Sequence, residues 1–484
     1  TFKDDKDKKA YEDSYDEMYT ACQKSLYTGG YRIYTSIDMN KQQLLQDSVD
    51  NTLKKFTSVN SDNIYELQGA AVSIDNDSGK VVAIVGGRSQ DLVGLTLNRA
   101  YQSFRQPGSS IKPLIVYTPA FERGYNPNTI VEDKAIKDGP KNSDGRYLGK
   151  IPLHTAVEKS KNSVAWQVFK EITPVVGLNY LKEMNFSKID LVKDNTLAAG
   201  LGGLTYGVSP VEMAAAYTTL ANDGYYREPT CIVKIMDAEG HEIVKDTVQT
   251  KKIYEENADK MMVETLMGVI KDGTARGLGL TNTVSAGKTG TTNDRKDGWF
   301  VGFTPYYTTS VWVGYDIPKT LSDLQGASYP GTIWHDYMNQ IHDSSMKVNF
   351  NLYDWRSTLE PPTPTVAPTV TPTITPPAQD QTSDPNTSGD SSVTGQDGTT
   401  DQQPIDTQDP TGTDGVDTTN PGGSDVAPGD NPNGSTDNGT QDNGGTDPGT
   451  SNGSDTGTDP TQPSGGQETG SQSGHGGSIV HAQQ

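Results

Sequence analysis

The chain has 484 residues and a formal net charge of −22, and both charge and aromatic residues are unevenly distributed. From Pro361 onward there is no Lys, Arg, Phe, Tyr or Trp, and this tail carries −17 of the −22, leaving only −5 for the front part. A segment with so few apolar residues cannot bury enough surface to offset its chain entropy. We therefore expect residues 351–484, Pro/Thr-rich and then Gly/Ser/Thr/Asp/Asn-rich, to form a disordered tail.

Composition also excludes several classes of function. No basic cluster dominates the chain, which argues against nucleic-acid binding. Cys22 and Cys231 are too few for a disulfide framework, and the six His show no ligand spacing, so we expect isolated thiols, no metal and no cofactor. The chain has no apolar run near the ~18 residues that cross a bilayer. Because it begins without Met, we interpret it as a fragment or processed product, attached to a membrane only through an upstream anchor.

The first third of the chain predicts a helix, a strand, a second helix and a hairpin. Residues 1–30, rich in Lys, Asp, Glu and Tyr, suit a surface helix or a linker, and residues 31–37 favour a strand. Asp38 is then the expected N-cap of an amphipathic helix. The apolar positions of that helix recur at helical spacing: Leu45, Val49, Leu53 and Phe56. Two β-prone runs, 70–75 and 80–87, enclose a Gly-bearing loop and predict a hairpin.

The rest of the front part predicts helices followed by strands. Residues 105–270 are predicted to be mainly helical, with a capping box at Ser209 and Glu212. Strands are predicted again over 283–292, 298–303 and 308–315, and then a short helix over 334–342. Strands at both ends of a helical middle predict an α/β fold of the α+β type. We expect a mainly antiparallel sheet, flanked by helices and completed by the C-terminal third, with a helical subdomain.

Three short motifs carry the candidate chemistry, in the order S-x-x-K, S-x-N and K-T-G. The first pattern occurs at Ser109, Ser285 and Ser344, but Ser and Lys three apart share a face only on a helix. Ser285 falls in a predicted strand, and Ser344 follows the end of a helix, where the macrodipole disfavours negative charge. Ser109 follows a Pro-Gly breaker, so a helix is expected to start there, with backbone N–H groups directed at an oxyanion and Lys112 facing the hydroxyl.

Each residue type suits a site built around a serine nucleophile. The Ser109 hydroxyl is a weak nucleophile that needs a base, and Lys112 can serve if burial and a second cation, Lys288, lower its pKa. Ser160, in the second motif, can relay a proton, and Asn162 can bind a substrate amide.

The third motif predicts a strand that binds the substrate. Thr289 and Thr291 alternate with Gly290, so their hydroxyls share one face and can hold a carboxylate, while the glycine permits close backbone approach.

Pro113 has no N–H to donate to the Ser109 carbonyl. We therefore expect the first turn after the nucleophile to be irregular and held by tertiary contacts.

Over roughly residues 28–340 the chain resembles the transpeptidase domain of class A, bifunctional penicillin-binding proteins. Beyond the motifs, the resemblance rests on four segments: GGYRIYTSIDMNKQQ, RQPGSSIKP, GLGGLTYGVSPVEMAAAYTTLANDG and GKTGTTNDRKDGWFVGFTP. It implies a β-lactamase/transpeptidase-like fold and a D,D-transpeptidase. Ser109 would attack peptidoglycan stem peptides ending in D-Ala-D-Ala and pass the acyl group to an amine. β-Lactam antibiotics would acylate the same serine, and the backbone N–H groups of Ser109 and Thr291 would form the oxyanion hole.

The resemblance also implies an organisation and a location. Residues 1–66 resemble the linker before the catalytic domain, which we place at 67–350, and the family's membrane anchor and glycosyltransferase domain have no counterpart in this chain. Partners would include cell-wall synthesis or division proteins at the extracytoplasmic face of a bacterial membrane or in the cell wall. Two alternatives stay open: a D-Ala-D-Ala carboxypeptidase, and a non-catalytic β-lactam sensor or scaffold. A class A β-lactamase is disfavoured because no E-x-x-L-N pattern follows Asn162.

Overall fold

The computed structural model describes residues 2–90, 96–246 and 249–356, so the predicted tail lies outside the described residues from 357 onward. The strands in these ranges are β1 (Arg32–Thr35), β2 (Leu67–Asp75), β3 (Val81–Val85), β4 (Ile130–Asp133), β5 (Gly149–Pro152), β6 (Tyr225–Arg227), β7 (Ile232–Met236), β8 (Glu242–Lys245), β9 (Thr250–Lys252), β10 (Ala286–Thr291), β11 (Asp297–Phe303) and β12 (Tyr307–Tyr315).

The α-helices in these ranges are α1 (Asp5–Thr28), α2 (Met39–Leu53), α3 (Arg99–Gln102), α4 (Thr118–Phe121), α5 (Leu153–Glu158), α6 (Asn162–Ile172), α7 (Pro174–Glu183), α8 (Pro210–Ala221), α9 (Glu256–Lys271) and α10 (Tyr329–Ile341). Short 3₁₀ turns lie at Gly108–Ile111, Ala199–Leu201 and Asn293–Arg295, and a π-helical turn at Pro113–Tyr117. None of the helices in the described ranges is both long and apolar enough to span a membrane.

The central sheet joins the two ends of the described chain. Its five strands lie in the order β10-β11-β12-β2-β3, and every neighbouring pair is antiparallel. The predicted hairpin supplies β2 and β3, and the C-terminal third supplies the other three strands. The predicted fold class, with a sheet completed by the C-terminal third, is confirmed.

Helices cover both faces of this sheet. Asp38 caps α2 by accepting from two backbone N–H groups, and the helix buries Leu45, Val49 and Leu53 completely, as its spacing predicts. Phe56, predicted on the same face, lies beyond the end of α2 and is only partly buried. On the same side, α10 places Trp334 against Gly302. Residues of a strand alternate between faces, and α8 contacts the neighbouring residue Phe303 through Tyr217. The sheet is therefore the middle layer of three.

The middle of the chain contains more strands than its sequence predicts. It holds α4 to α9, but also the β4–β5 hairpin, the β6–β9 pair, and β7 and β8, which form a three-stranded sheet with β1. Each of these strands has three to five residues. So short a segment shows no clear period of two, and it forms a strand only because another segment pairs with it. The capping box at Ser209 and Glu212 starts α8 as predicted.

The N-terminal region predicted as a surface helix or linker contains α1, and none of its residues is buried. Cys22 on this helix is exposed and Cys231 is partly buried. Both are free thiols, as expected.

Candidate active site

The nucleophile segment is irregular at the point where proline was predicted to disturb it. Residues Gly108–Ile111 form a 3₁₀ turn, in which the Lys112 N–H donates to the Ser109 carbonyl, and a π-helical turn follows from Pro113. Gly108 has φ +54°, a left-handed conformation that glycine adopts readily. Ser109 is only half-buried, whereas Lys112 is completely buried. The serine is therefore accessible at the start of a helical segment whose lysine faces inward.

Contacts from the sheet and from α8 fix this segment on both sides of the serine. The Arg105 guanidinium pairs with Asp297 at 2.7 Å, and the Trp299 indole N–H donates to the Gln106 carbonyl at 2.9 Å. Behind the serine, the Tyr217 hydroxyl donates to the Ser110 carbonyl. Trp299 is fully buried in the sheet core, and it also holds the chain just before Ser109.

Strand β10 passes directly against the turn that carries Ser109. A Cβ atom added at Gly108 would lie 2.7 Å from the Thr291 carbonyl oxygen and 3.1 Å from the Thr291 nitrogen. A Cβ atom at Gly290 would meet the Pro107 carbonyl and, at 2.9 Å, the Ser110 hydroxyl. Both glycines are required for this approach. Thr291, predicted to contribute to an oxyanion hole with Ser109, thus lies beside Gly108, the residue that precedes this serine.

The ammonium of Lys112 connects the first motif to the second. Its Nζ donates to the Asn162 Oδ1 at 2.7 Å and to the Ser160 carbonyl at 3.0 Å. Burial, with a smaller contribution from the charge of Lys288, holds the pKa of Lys112 well below its ordinary value. Within the described residues no carboxylate forms an ion pair with either lysine.

Lys288 connects the third motif to the second. Its Nζ donates to the Ser160 hydroxyl at 2.9 Å and to the Thr289 carbonyl at 3.2 Å, and burial lowers its pKa to about 7. Ser160 thus lies between the two lysines, accepting from one through its carbonyl and from the other through its hydroxyl. It does so with φ +55°, an unfavourable conformation for a residue with a side chain.

The remaining predicted residues also meet at this point. The Asn162 amide nitrogen donates to the Lys141 carbonyl at 3.0 Å, so both ends of its side chain are engaged by the protein. The Thr289 hydroxyl lies 2.7 Å from that of Thr274, and the Thr291 hydroxyl accepts from the Gly326 N–H at 3.0 Å. Threonines 289 and 291 therefore line the strand beside the serine, and each already has a protein partner.

This convergence agrees with what the sequence matches among known families. Residues 69–339 match the family described as the penicillin binding protein transpeptidase domain. The chain belongs to the penicillin-binding protein transpeptidase family.

Relatives and solved structures agree with this assignment. The chain is 36% identical over 340 residues to penicillin-binding protein 1F of Bacillus subtilis, covering 68% of this chain and 46% of that protein. It is 40% identical over 293 residues to penicillin-binding protein 1A of Neisseria gonorrhoeae, covering 56% and 35%. The chain thus spans less than half of the length of these curated relatives.

Two solved structures share the fold. Penicillin-binding protein 1A of Haemophilus influenzae superposes with a TM-score of 0.60 at 21% identity, covering 67% of this chain and 68% of that one. The PonA1 protein of Mycobacterium tuberculosis, solved in complex with penicillin V, gives 0.59 at 24% identity, covering 69% and 92%.

The other two S-x-x-K serines of this transpeptidase domain lie elsewhere. Ser285 directly precedes β10, and its partner Lys288 is directed at Ser160 instead. Ser344 lies in a turn beyond the end of α10. Ser109, in contrast, lies in the helical turn that leads directly to buried Lys112, whose Nζ contacts the second motif.

Two site residues were missed by the sequence reasoning. Thr274, in the loop after α9, has no motif around it that would identify it as the partner of Thr289. Lys161 lies inside the second motif, and its position between two candidate catalytic residues was a signal that could have been used.

Proposed function

We propose that the protein is a serine D,D-transpeptidase of peptidoglycan synthesis that works through an acyl-enzyme at Ser109. The observation that carries this proposal is the set of hydrogen bonds from Lys112 and Lys288 to Ser160, which joins all three motifs near the half-buried Ser109. Within the described ranges, neither of these buried lysines has a carboxylate partner. Such an arrangement is costly to fold and is typical of catalytic sites.

Lys112 acts as the base for the attack. A neutral amine has two N–H bonds and one lone pair, and both N–H bonds have acceptors here, in Asn162 and Ser160. The lone pair is then left to take the proton of the Ser109 hydroxyl as its oxygen bonds to the carbonyl carbon of the penultimate D-Ala. Because guanidinium stays protonated, arginine could not replace this lysine.

The oxyanion formed in this step accepts hydrogen bonds from the backbone N–H groups of Ser109 and Thr291. When the tetrahedral intermediate collapses, the peptide bond breaks and the leaving amine of the terminal D-Ala needs a proton. Ser160 is placed to deliver it, because its hydroxyl lies 2.9 Å from Lys288. The ester at Ser109 then passes its acyl group to an incoming amine by the reverse proton transfers.

The C-terminal carboxylate of the donor peptide binds along β10, to the hydroxyls of Thr289 and Thr291 and the charge of Lys288. β-Lactam antibiotics carry an equivalent carboxylate beside their strained amide and acylate the same serine. Gly290 keeps this strand close to the nucleophile, so the carboxylate and the scissile bond are bound together.

Acylation is tested by intact mass after treatment with benzylpenicillin. We expect one adduct, mapped to the peptide that contains Ser109, and none in Ser109→Ala. An adduct on Ser285 or Ser344 would contradict the assignment of the nucleophile.

The acceptor is tested separately, with a stem pentapeptide and a second peptide that presents a free amine. A cross-linked dimer is expected. Free tetrapeptide alone would identify a D-Ala-D-Ala carboxypeptidase, and acylation by penicillin with no peptide product would identify a β-lactam sensor or scaffold.

With this function we propose a domain organisation and a location for the substrate. We place the catalytic domain at residues 67–350, preceded by a linker region at 1–66, and its substrate at the outer face of a bacterial membrane. The α2 helix, within the linker region, packs its buried face onto the catalytic core.

A further inference from the structure

Lys161 lies between two candidate catalytic residues, yet its side chain extends away from them. Its side chain is 1% exposed, and its Nζ lies 2.8 Å from a carboxylate oxygen of Asp144 and 3.6 Å from one of Asp133. It also donates to the Arg146 carbonyl at 3.0 Å. Unlike Lys112 and Lys288, this buried lysine has counter-charges.

Asp133, the last residue of β4, is fully buried and well satisfied. It accepts from the Ser163 hydroxyl at 2.5 Å, the Asn142 amide at 2.7 Å and the Leu148 N–H at 2.9 Å. Burial acts to raise the pKa of Asp133. The three hydrogen bonds and the charge of Lys161 outweigh it, and the pKa is below its ordinary value. The carboxylate is therefore ionised where the second motif meets the β4–β5 hairpin.

The hairpin loop, residues 134–148, holds the second motif at further points. The Lys141 carbonyl accepts from Asn162, and the Asn142 Oδ1 accepts from the Ser163 N–H at 3.1 Å. Successive side chains of the motif therefore point in opposite directions. Ser160 and Asn162 face the catalytic lysines, while Lys161 and Ser163 face Asp133.

This alternation depends on an unfavourable backbone. A serine at φ +55° persists only where surrounding contacts over-determine it. On the side of the active site, Ser160 and Asn162 contact Lys112 and Lys288, two lysines whose pKa values are lowered. The charged contacts are all on the other side, where Lys161 meets Asp133 and Asp144.

We propose that the buried Lys161–Asp133 pair, closed by Asp144, is the positioning device that sets Ser160 and Asn162 against Lys112. Lys161 touches no reacting atom in this arrangement and acts through its two neighbours. The inference rests on the proposed acylation of Ser109, because its effect is felt in that reaction.

The test compares the acylation rate by a fluorescent penicillin across pH in full-length variants. Lys161→Met keeps most of the length of the side chain and removes its charge. We expect acylation to fall by about 100-fold, as for displaced catalytic groups. The ascending limb of the pH profile should move to lower pH, because Lys112 loses the fixed acceptors that favour its protonated form. Asp133→Asn should reduce the rate on the order of tenfold, with the limb moved in the same direction.

Lys260→Met is the matched control. Lys260, near the start of α9, is also largely buried between two carboxylates, Asp223 and Glu256, and in the described part of the chain its ion pairs do not reach the second motif. Its loss should lower thermal stability while the acylation rate and pH profile stay unchanged.

Asp144→Asn keeps the test decisive if the buried variants fail to fold, because this side chain is 48% exposed and lies on a loop. We expect a several-fold slower acylation with the same direction of pH shift. The inference is overturned if the folded Lys161, Asp133 or Asp144 variants acylate with the wild-type rate and profile. Absence of acylation in the wild type would refute the proposed function instead, so the two failures are distinguishable.

Discussion

The buried lysines around the second motif, residues 160–162, have two different kinds of partner. On one side, the partners of Lys112 and Lys288 among the described residues are hydroxyl, amide and carbonyl oxygens, and the pKa values of both lysines are lowered. On the other side, Lys161 is paired with Asp133 and Asp144.

The difference teaches how burial is used in this site. Desolvation disfavours the charged form of a lysine, so a buried lysine without a counter-charge becomes a neutral amine that can take a proton. A carboxylate beside it offsets that penalty and keeps the charge in place, where it can fix geometry. One side of the motif is thus suited to chemistry and the other to support.

The largest expected effect comes from replacing the base. Lys112→Arg keeps a positive charge but cannot give up its proton near neutral pH, so acylation should fall by about a thousandfold or more. The rate of labelling by fluorescent penicillin measures this, with circular dichroism to verify the fold. If the Arg variant is labelled at a near-normal rate, Lys112 is only an electrostatic group and another residue takes the proton.

The next effect is on stability, on the paired side. Lys161→Met leaves Asp133 buried without its cation, which should lower the free energy of unfolding by about 3–5 kcal/mol. Adding Asp133→Asn removes the stranded charge and should restore part of the loss. Urea denaturation of the single and double variants checks this. If the losses in free energy of unfolding of the two single variants simply add in the double variant, the two residues do not interact.

The opposite sign is expected on the unpaired side. Lys288→Met removes an amine whose pKa falls from about 10.4 unfolded to about 7 folded, so the free energy of unfolding at pH 7 should rise by about 2–4 kcal/mol. Between these values the unfolded chain binds more protons, so the wild type gains stability as pH rises. The advantage of the variant should therefore shrink by pH 10 in urea titrations. A variant destabilised at pH 7 would mean that Lys288 is charged and stabilised in the folded state.

The smallest effect concerns the coupling between the two unpaired lysines. The charge of Lys288 helps to lower the pKa of Lys112, so in Lys288→Met that pKa should rise. The ascending limb of the residual acylation should move to higher pH. The pH profile of acylation, measured beside that of the wild type, tests this. If the limb stays in place or moves to lower pH, the charge of Lys288 does not lower the pKa of Lys112.

The sequence alone determined the elements whose signal is local. The Asp38 cap, the spacing of Leu45, Val49 and Leu53, and the Ser209 capping box each depend on neighbours within one or two turns, and each is found where it was predicted. The irregular turn after Ser109 belongs to the same group, because the missing N–H of Pro113 is a property of the residue itself.

Tertiary structure alone decided which side chains meet. Residues 112, 160 and 288 are far apart in the chain, and the motifs identify these residues without giving the distances between them. The hydrogen bonds that join them exist because β10 and α6 pack beside the turn that carries Ser109. The short strands β4 and β5, and with them the position of Asp133 below Lys161, had no periodic signal to predict them. Whether a buried lysine becomes a base or a support depends on whether a carboxylate from another segment lies beside it. That proximity is set by packing, since electrostatic interaction depends on distance in space and on burial rather than on position in the chain.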